Sequence, residues 1–306
     1  MSESLLNALV QGVLLGGYYA IIAAGLSLMF GVVRFINLAH GDLLVLGAML
    51  ALIAVEALGW PVWLAVATVI PLMAALGWAL QRLMFERALA AGPLLPILVT
   101  LGLGATLQNG MFGLFGSNTR SLGAHIGDLS WSGWSLPGGL RVGTLPVLTF
   151  ALAIAVLGLM HLMLRRTPLG RAIRATAQDP GAAELSGVDA RRVHRAAAAI
   201  AFALAALGGA LLAMRAQVTP FAGPPQLIFA FEAVVIGGIG SLWGTLIGGI
   251  VLGLAQTLGG TISAQVSLLA GHLVLLAVLG WRVLRDEAAA RGGWIALMRV
   301  KGPSHD

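Results

Sequence analysis

Residues 165–195 read RRTPLGRAIRATAQDPGAAELSGVDARRVHR, a basic stretch set between two long apolar runs. Arg165, Arg166, Arg171, Arg174, Arg191, Arg192 and Arg195 stand there against only Asp179, Glu184 and Asp189. Such a cluster beside membrane-length segments marks the cytoplasmic side. Its punctuation is explicit as well. Asp179 followed by Pro180 predicts an N-cap with proline at N1, GAAEL gives a short helix, Gly187 stops it, and Asp189 caps the next helix. A basic linker without structure would need no such caps.

Working outward, the chain is 306 residues long, 58% hydrophobic and 10% charged, with a mean hydropathy of +0.94. Soluble domains carry about a quarter charged residues, so this is an integral membrane protein. Apolar runs at residues 5–30, 43–58, 62–80, 94–115, 143–164, 196–214 and 262–284 have crossing length or nearly so, since about 20 helical residues span the hydrocarbon. They are apolar all round, unlike the alternating strands of about ten residues in an outer-membrane barrel. Residues 227–260 are too long for one span and are broken by Gly237, Gly238 and Gly240, which predicts two short helices. The expected fold is therefore an all-α polytopic membrane protein of about eight to nine transmembrane helices, including a short or re-entrant pair. Residues 1–306 form one transmembrane domain, with a cytoplasmic loop at 165–195 and a cytoplasmic tail at 285–306. No sizeable soluble domain fits, and the first run, lacking a basic n-region, is expected to be a retained helix.

Charge and composition also exclude functions. The net charge of +6 resides in a few loops and not in a stripe among aromatic residues, which speaks against nucleic acid. The absence of cysteine removes disulfides, thiolate metal ligands and cysteine nucleophiles. Neither G-x-S-x-G nor H-E-x-x-H occurs, and no metal or catalytic residue is expected. The sole lysine, Lys301, permits no G-x-x-x-x-G-K-[ST] phosphate loop.

Polar groups interrupt apolar sequence at a few places. VVRFINLAHGD at residues 32–42 breaks the chain between two runs, and two readings stand. Asn37, His40 and Asp42 border a water-filled path with Gly41 permitting the turn, or Asn37 and Asp42 cap helices in a cytoplasmic turn while His40 satisfies a carbonyl. Gln108 and Asn109, inside an apolar run, either bond across helices or meet a zwitterionic solute. Glu232 at mid-membrane needs a partner, for which Arg215 is one candidate. His161 and His272 have no metal-ligand spacing and are expected to be hydrogen-bonded structure. Gly240, Gly244 and Gly248 recur every four residues, with Gly249 and Gly253 as a second pair, a pattern that lets helix backbones approach closely.

Four stretches taken together resemble one family. LGRAIRATAQDPGAAELSGVDARRV, INLAHGD, LQN at residues 107–109 and GGIGSLWGTLIGGIVLGLAQ occur in the order found in permeases of branched-chain amino acid ABC importers. The resemblance implies a multi-pass permease of the bacterial inner membrane that pairs with a second permease, related or identical. It further implies a periplasmic solute-binding protein and two cytoplasmic ABC ATPases that bind the ATP, so no cofactor resides in this chain. Pro180 to Ser186 would be the coupling helix, with Gly170, Arg171, Arg174, Asp179, Pro180, Ala182, Ala183, Glu184 and Gly187 serving the ATPase contact. Asn37, His40, Gly41, Asp42, Gln108 and Asn109 would border the translocation pathway. Relatives carry leucine, isoleucine and valine, or urea, amides and aromatic acids; a stand-alone channel or ion-coupled carrier is the alternative class. One departure stands out: the family's closing arginine-proline-x-glycine-leucine turn is absent, replaced by GWRVLRDEAAARGGWIALMRV at residues 280–300.

Overall fold

A computed structural model describes residues 3–136 and 139–300, with side chains for residues 4–135 and 139–285. The expected tail at 285–306 thus lies almost wholly outside the described side chains. In chain order the helices are α1 (Glu3–Val33), α2 (His40–Glu56), α3 (Val62–Leu80), α4 (Glu86–Ala91), α5 (Leu95–Phe115), α6 (Thr144–Arg166), α7 (Pro168–Gln178), α8 (Pro180–Leu185), α9 (Ala190–Arg215), α10 (Gly223–Gly237), α11 (Leu242–Gly260) and α12 (Ala264–Val300). A π-helical turn, Gln81–Phe85, joins α3 to α4 without interrupting the rod. Among the described residues seven helices are long and apolar enough to cross a membrane, while α2 and α10 are shorter. The protein is an all-α polytopic membrane protein.

α1 and α9 are the most enclosed of the long helices and form the centre, because their small residues admit neighbours from several sides. Ile21, Ile22, Ala23, Ala24, Ala201 and Ala205 are all inaccessible. α5, α6 and α12 lie at the periphery and expose leucines such as Leu101, Leu159 and Leu276, as expected of helices whose solvent is lipid.

Glycine sets the closest contacts. On α11, Gly244 and Gly248 meet the backbone of α10 at Gly237 and Ala233, while Gly249 and Gly253 meet α1 at Gly16 and Gly12. The four-residue spacing thus makes two seams on two faces of one helix. Gly240 does not share the first seam: it lies between α10 and α11 at φ +78°, where a left-handed turn requires glycine, and it approaches Gly31.

Residues 165–195 join the end of α6 to the start of α9 at one end of the bundle, the arginine-rich end. The opposite end carries two short 3₁₀ turns, Gly123–His125 and Gly127–Ser130, and an antiparallel hairpin, β1 (Gly133–Leu136) with β2 (Leu140–Gly143). Trp131 and Trp134 are exposed there, as amphipathic rings are at a membrane boundary. The Gln11 side chain donates to the Arg141 carbonyl, which fixes the start of α1 at this same end.

Candidate functional site

The break at residues 34–39 turns back into the bundle. Asn37 Oδ1 accepts the Ala39 N–H at 3.1 Å and the Asn37 carbonyl accepts the His40 N–H, an Asx turn that opens α2. His40 is buried, its Nε2 2.8 Å from the Ile22 carbonyl. Ile22 lies about three turns before the end of α1, so α2 starts well inside the bundle. Of the two sequence readings, the surface turn is therefore the wrong depth. His40 nevertheless does what that reading asked of it, because its ring satisfies a carbonyl and lies against Gly25. Non-helical backbone at this depth is tolerated because protein surrounds it.

Asp42, in the first turn of α2, occupies the point where α2, α5 and α10 meet. Its Oδ1 accepts from Gln108 Nε2 of α5 at 2.8 Å. Gly104 and Gly223 leave room for the carboxylate, since a Cβ on either would collide with it, and Gly41 presses against the Gly223 carbonyl. Both α2 and α10 begin here, which directs two helix N-termini, the positive ends of their dipoles, toward this region. Beside the pair lies a cavity of about 290 Å³ walled by Leu38, Leu101, Ala105, Pro224 and Leu227. A carboxylate and an amide above apolar walls suit a small amphiphile that donates hydrogen bonds. Asn109 is not part of this group: one residue on from Gln108, it is exposed and donates to the Ala105 carbonyl of its own helix. Sequence reasoning missed Gly104, although its four-residue distance from Gln108 puts the two on one face.

At the arginine-rich end the loop is tightly built. Thr167 Oγ1 caps α7 by accepting from Gly170, and Gly170 sits so close to Met163 and Leu164 that no side chain fits. Arg171 and Arg174 face outward while Ile173 and Thr176 are buried. Asp179 Oδ1 caps α8, accepting from Gly181 at 2.9 Å and Ala182 at 3.1 Å, with Pro180 at N1. α8 closes as a Schellman motif: Gly187 at φ +83° donates to Glu184, and Val188 donates to Ala183. Ala183 is buried, whereas Ala182 and Glu184 are exposed and Leu185 is 93% exposed. Asp189 caps α9 through the Arg192 N–H.

Two arginines tie this loop to the bundle. Arg195 of α9 makes a bidentate pair with Glu86 of α4 at 2.5 and 2.8 Å. Arg34 donates to the carbonyls of Ala177 and Gln178 at 2.7 and 3.1 Å, at the C-terminus of α7 where such groups lack helical partners. Arg34 is the one non-glycine residue at positive φ among the described residues, at 62°. It begins the very segment that leads to Asn37 and Asp42.

Glu232 is buried and pairs with His272 Nδ1 of α12. Arg215, the partner considered from sequence, instead lies 4.6 Å over the Tyr18 ring. Tyr18 in turn donates to Gln226 of α10, and Tyr19 donates to Gln256 of α11.

A broken-helix bundle with a polar pair inside it and a capped helix outside it has the form of a membrane transport permease. The family described as branched-chain amino acid transport system / permease component matches residues 8–279. The permease protein BraD of Pseudomonas aeruginosa, from a high-affinity branched-chain amino acid transport system, is 30% identical over 263 residues, 83% of this chain and 86% of that protein. LivH of Escherichia coli K12, from a system of the same description, is 31% identical over 270 residues, 84% and 88% of the two chains. A probable LivH of Methanocaldococcus jannaschii is 27% identical over 248 residues. No solved structure matches significantly. The chain belongs to the branched-chain amino acid transport permease family, a family of transport permeases and not of enzymes.

Proposed function

We propose that the chain is the membrane-spanning half-channel of an ABC importer for branched-chain or related amino acids in the bacterial inner membrane. It works as one permease domain paired with a second permease, related or identical. A periplasmic binding protein delivers solute at the hairpin end, and two ATPases act at the arginine-rich end. The observation that carries this reading is α8: capped by Asp179, closed at Gly187, anchored by Ala183 and presenting Leu185 outward. A short helix so firmly terminated transmits a push as a rigid body.

In this reading closure of the ATPases displaces α7 and α8, and the Asp42–Gln108 cavity alternates its access. Asp42 and Gln108 meet the solute's polar groups while Leu101 and Leu227 meet its apolar side. Asn37, His40 and Gly41 hold the broken segment in place. Arg171, Arg174 and Glu184 form the polar rim of the ATPase contact.

The test is purification from the native membrane, identification of the co-purifying binding protein and ATPases, and reconstitution in proteoliposomes with ATP inside. Uptake of labelled leucine that needs both ATP and the binding protein is the expected result. Uptake by the chain alone would instead make it a channel or carrier. ATP-dependent uptake of urea or an aromatic acid in place of leucine would keep the mechanism and replace the substrate.

A further inference from the structure

We infer that the arginine-rich end holds a binding site for the phosphate headgroup of an anionic phospholipid, between α4 and α9. A cavity of about 440 Å³ opens there, lined by Arg82, Arg87, Arg191 and His194, with Leu89 and Val33 as its apolar wall. Glu86 also borders it, but both of its oxygens are taken by Arg195. Arg82, Arg87 and Arg191 are exposed and make no ion pair among the described residues. Three guanidinium groups thus surround one opening whose one lining carboxylate among the described residues, Glu86, is already paired with Arg195. Planar guanidinium forks match phosphate oxygens in pairs.

Position selects a lipid over a soluble anion. The cavity lies where the apolar spans Val62–Ala91 and Ala190–Arg215 end together, which is headgroup level in a bilayer. Leu83, beside Arg82 in the chain, and Leu94, just after α4, are exposed and offer apolar surface on which acyl chains would lie. Basic pockets between membrane helices on the positive side are suited to such headgroups.

A local irregularity supports a dedicated site. The π-helical turn Gln81–Phe85 holds one residue more than an α-helical turn. The extra residue rotates everything after it by about 100° relative to an unbroken helix. That rotation sets where Glu86 and Arg87 point relative to the rest of α3. The turn also leaves the buried Gln81 amide without a partner among the described residues, a cost that folding retains. π-Turns of this kind recur at functional positions.

The experiment is native mass spectrometry of the full chain in detergent, titrated with phosphatidylglycerol, cardiolipin or phosphatidylcholine. Anionic lipid is expected to bind in preference to phosphatidylcholine. The triple variant Arg82→Gln/Arg87→Gln/Arg191→Gln should weaken it by about a hundredfold, roughly fivefold per arginine. Arg165→Gln/Arg166→Gln/Arg192→Gln removes equal charge outside the cavity and should leave affinity unchanged. If the triple variant fails to fold, Arg191→Gln alone should give the fivefold loss. Equal loss in the control triple, or no loss in either, overturns the site. Displacement of the lipid by modest inorganic phosphate overturns the lipid assignment in favour of a soluble anion. Lipid binding that survives in the cavity variants while co-purifying ATPase is lost overturns it in favour of a protein contact.

Discussion

The carboxamide of Gln108 donates a 2.8 Å hydrogen bond to Oδ1 of Asp42, joining the middle of α5 to the first turn of α2. Bonds to charged groups in such surroundings contribute about 1.5–3 kcal/mol. Asp42→Asn, which keeps shape and removes charge, is expected to reduce uptake in the reconstituted system at least tenfold while the complex still assembles. Gln108→Leu should fall between the two. Uptake at the wild-type rate in Asp42→Asn would remove the pair from the pathway.

Arg34 joins the end of α7 to the segment that opens the site, so Arg34→Gln is expected to loosen α7 from that segment without disturbing the core. ATP hydrolysis per solute moved should rise several-fold, with protein level and basal hydrolysis preserved. Arg34→Gly relieves a left-handed backbone worth about 1 kcal/mol and loses the same tie, so it should uncouple while leaving stability near the wild type. A coupling ratio that does not move in either variant would mean that the bond is only structural.

For α8, Asp179→Ala removes the cap and should weaken the helix by about 1 kcal/mol. Gly187→Pro is harsher, because proline cannot adopt φ +83°. Both variants should insert into the membrane yet lose uptake coupled to hydrolysis, and exchanging the charges of Arg174 and Glu184 should do likewise. The measurement is substrate-stimulated ATPase activity beside uptake. Full uptake in Gly187→Pro would sink the role given to α8.

The Glu232–His272 pair predicts a strong non-additivity. Glu232 is 1% exposed, so His272→Ala leaves a buried carboxylate without its partner and should cost about 3 kcal/mol. Glu232→Gln with His272→Ala removes the charge as well and should recover most of the loss. Thermal unfolding of the four proteins in detergent tests this, and simple additivity would show that the two side chains act separately.

Local signals were read well from the sequence. The caps at Asp179 and Asp189 and the stop at Gly187 depend on neighbours one to five residues away, and each is present. The apolar runs likewise became helices, with α2 starting three residues earlier than residue 43 so that His40, Gly41 and Asp42 entered its first turn. Distance along the chain is where reading failed. Glu232 finds His272 across helices and not Arg215, and no period in the sequence encodes that choice. Gln108 and Asn109 are equal as letters, yet about 100° of helix rotation sends one to Asp42 and the other to its own backbone. Depth was equally hidden: INLAHGD could open a helix at the surface or inside, and only the His40 contact with Ile22 distinguishes the two. The π-helical turn at Gln81–Phe85 has no sequence signal at all among its apolar neighbours.

The two glycine seams of α11 have a mechanical consequence. Where backbone rests on backbone, as Gly16 does on Gly249 and Gly237 on Gly244, rotamer changes have little room to alter the spacing, so α1, α10 and α11 hold together as a chassis. Rocking that separates the starts of α2 and α10 would have to part the Gly41–Gly223 backbone contact and flex the strap at residues 34–39 and its counterpart at 216–222, the joints of the machine.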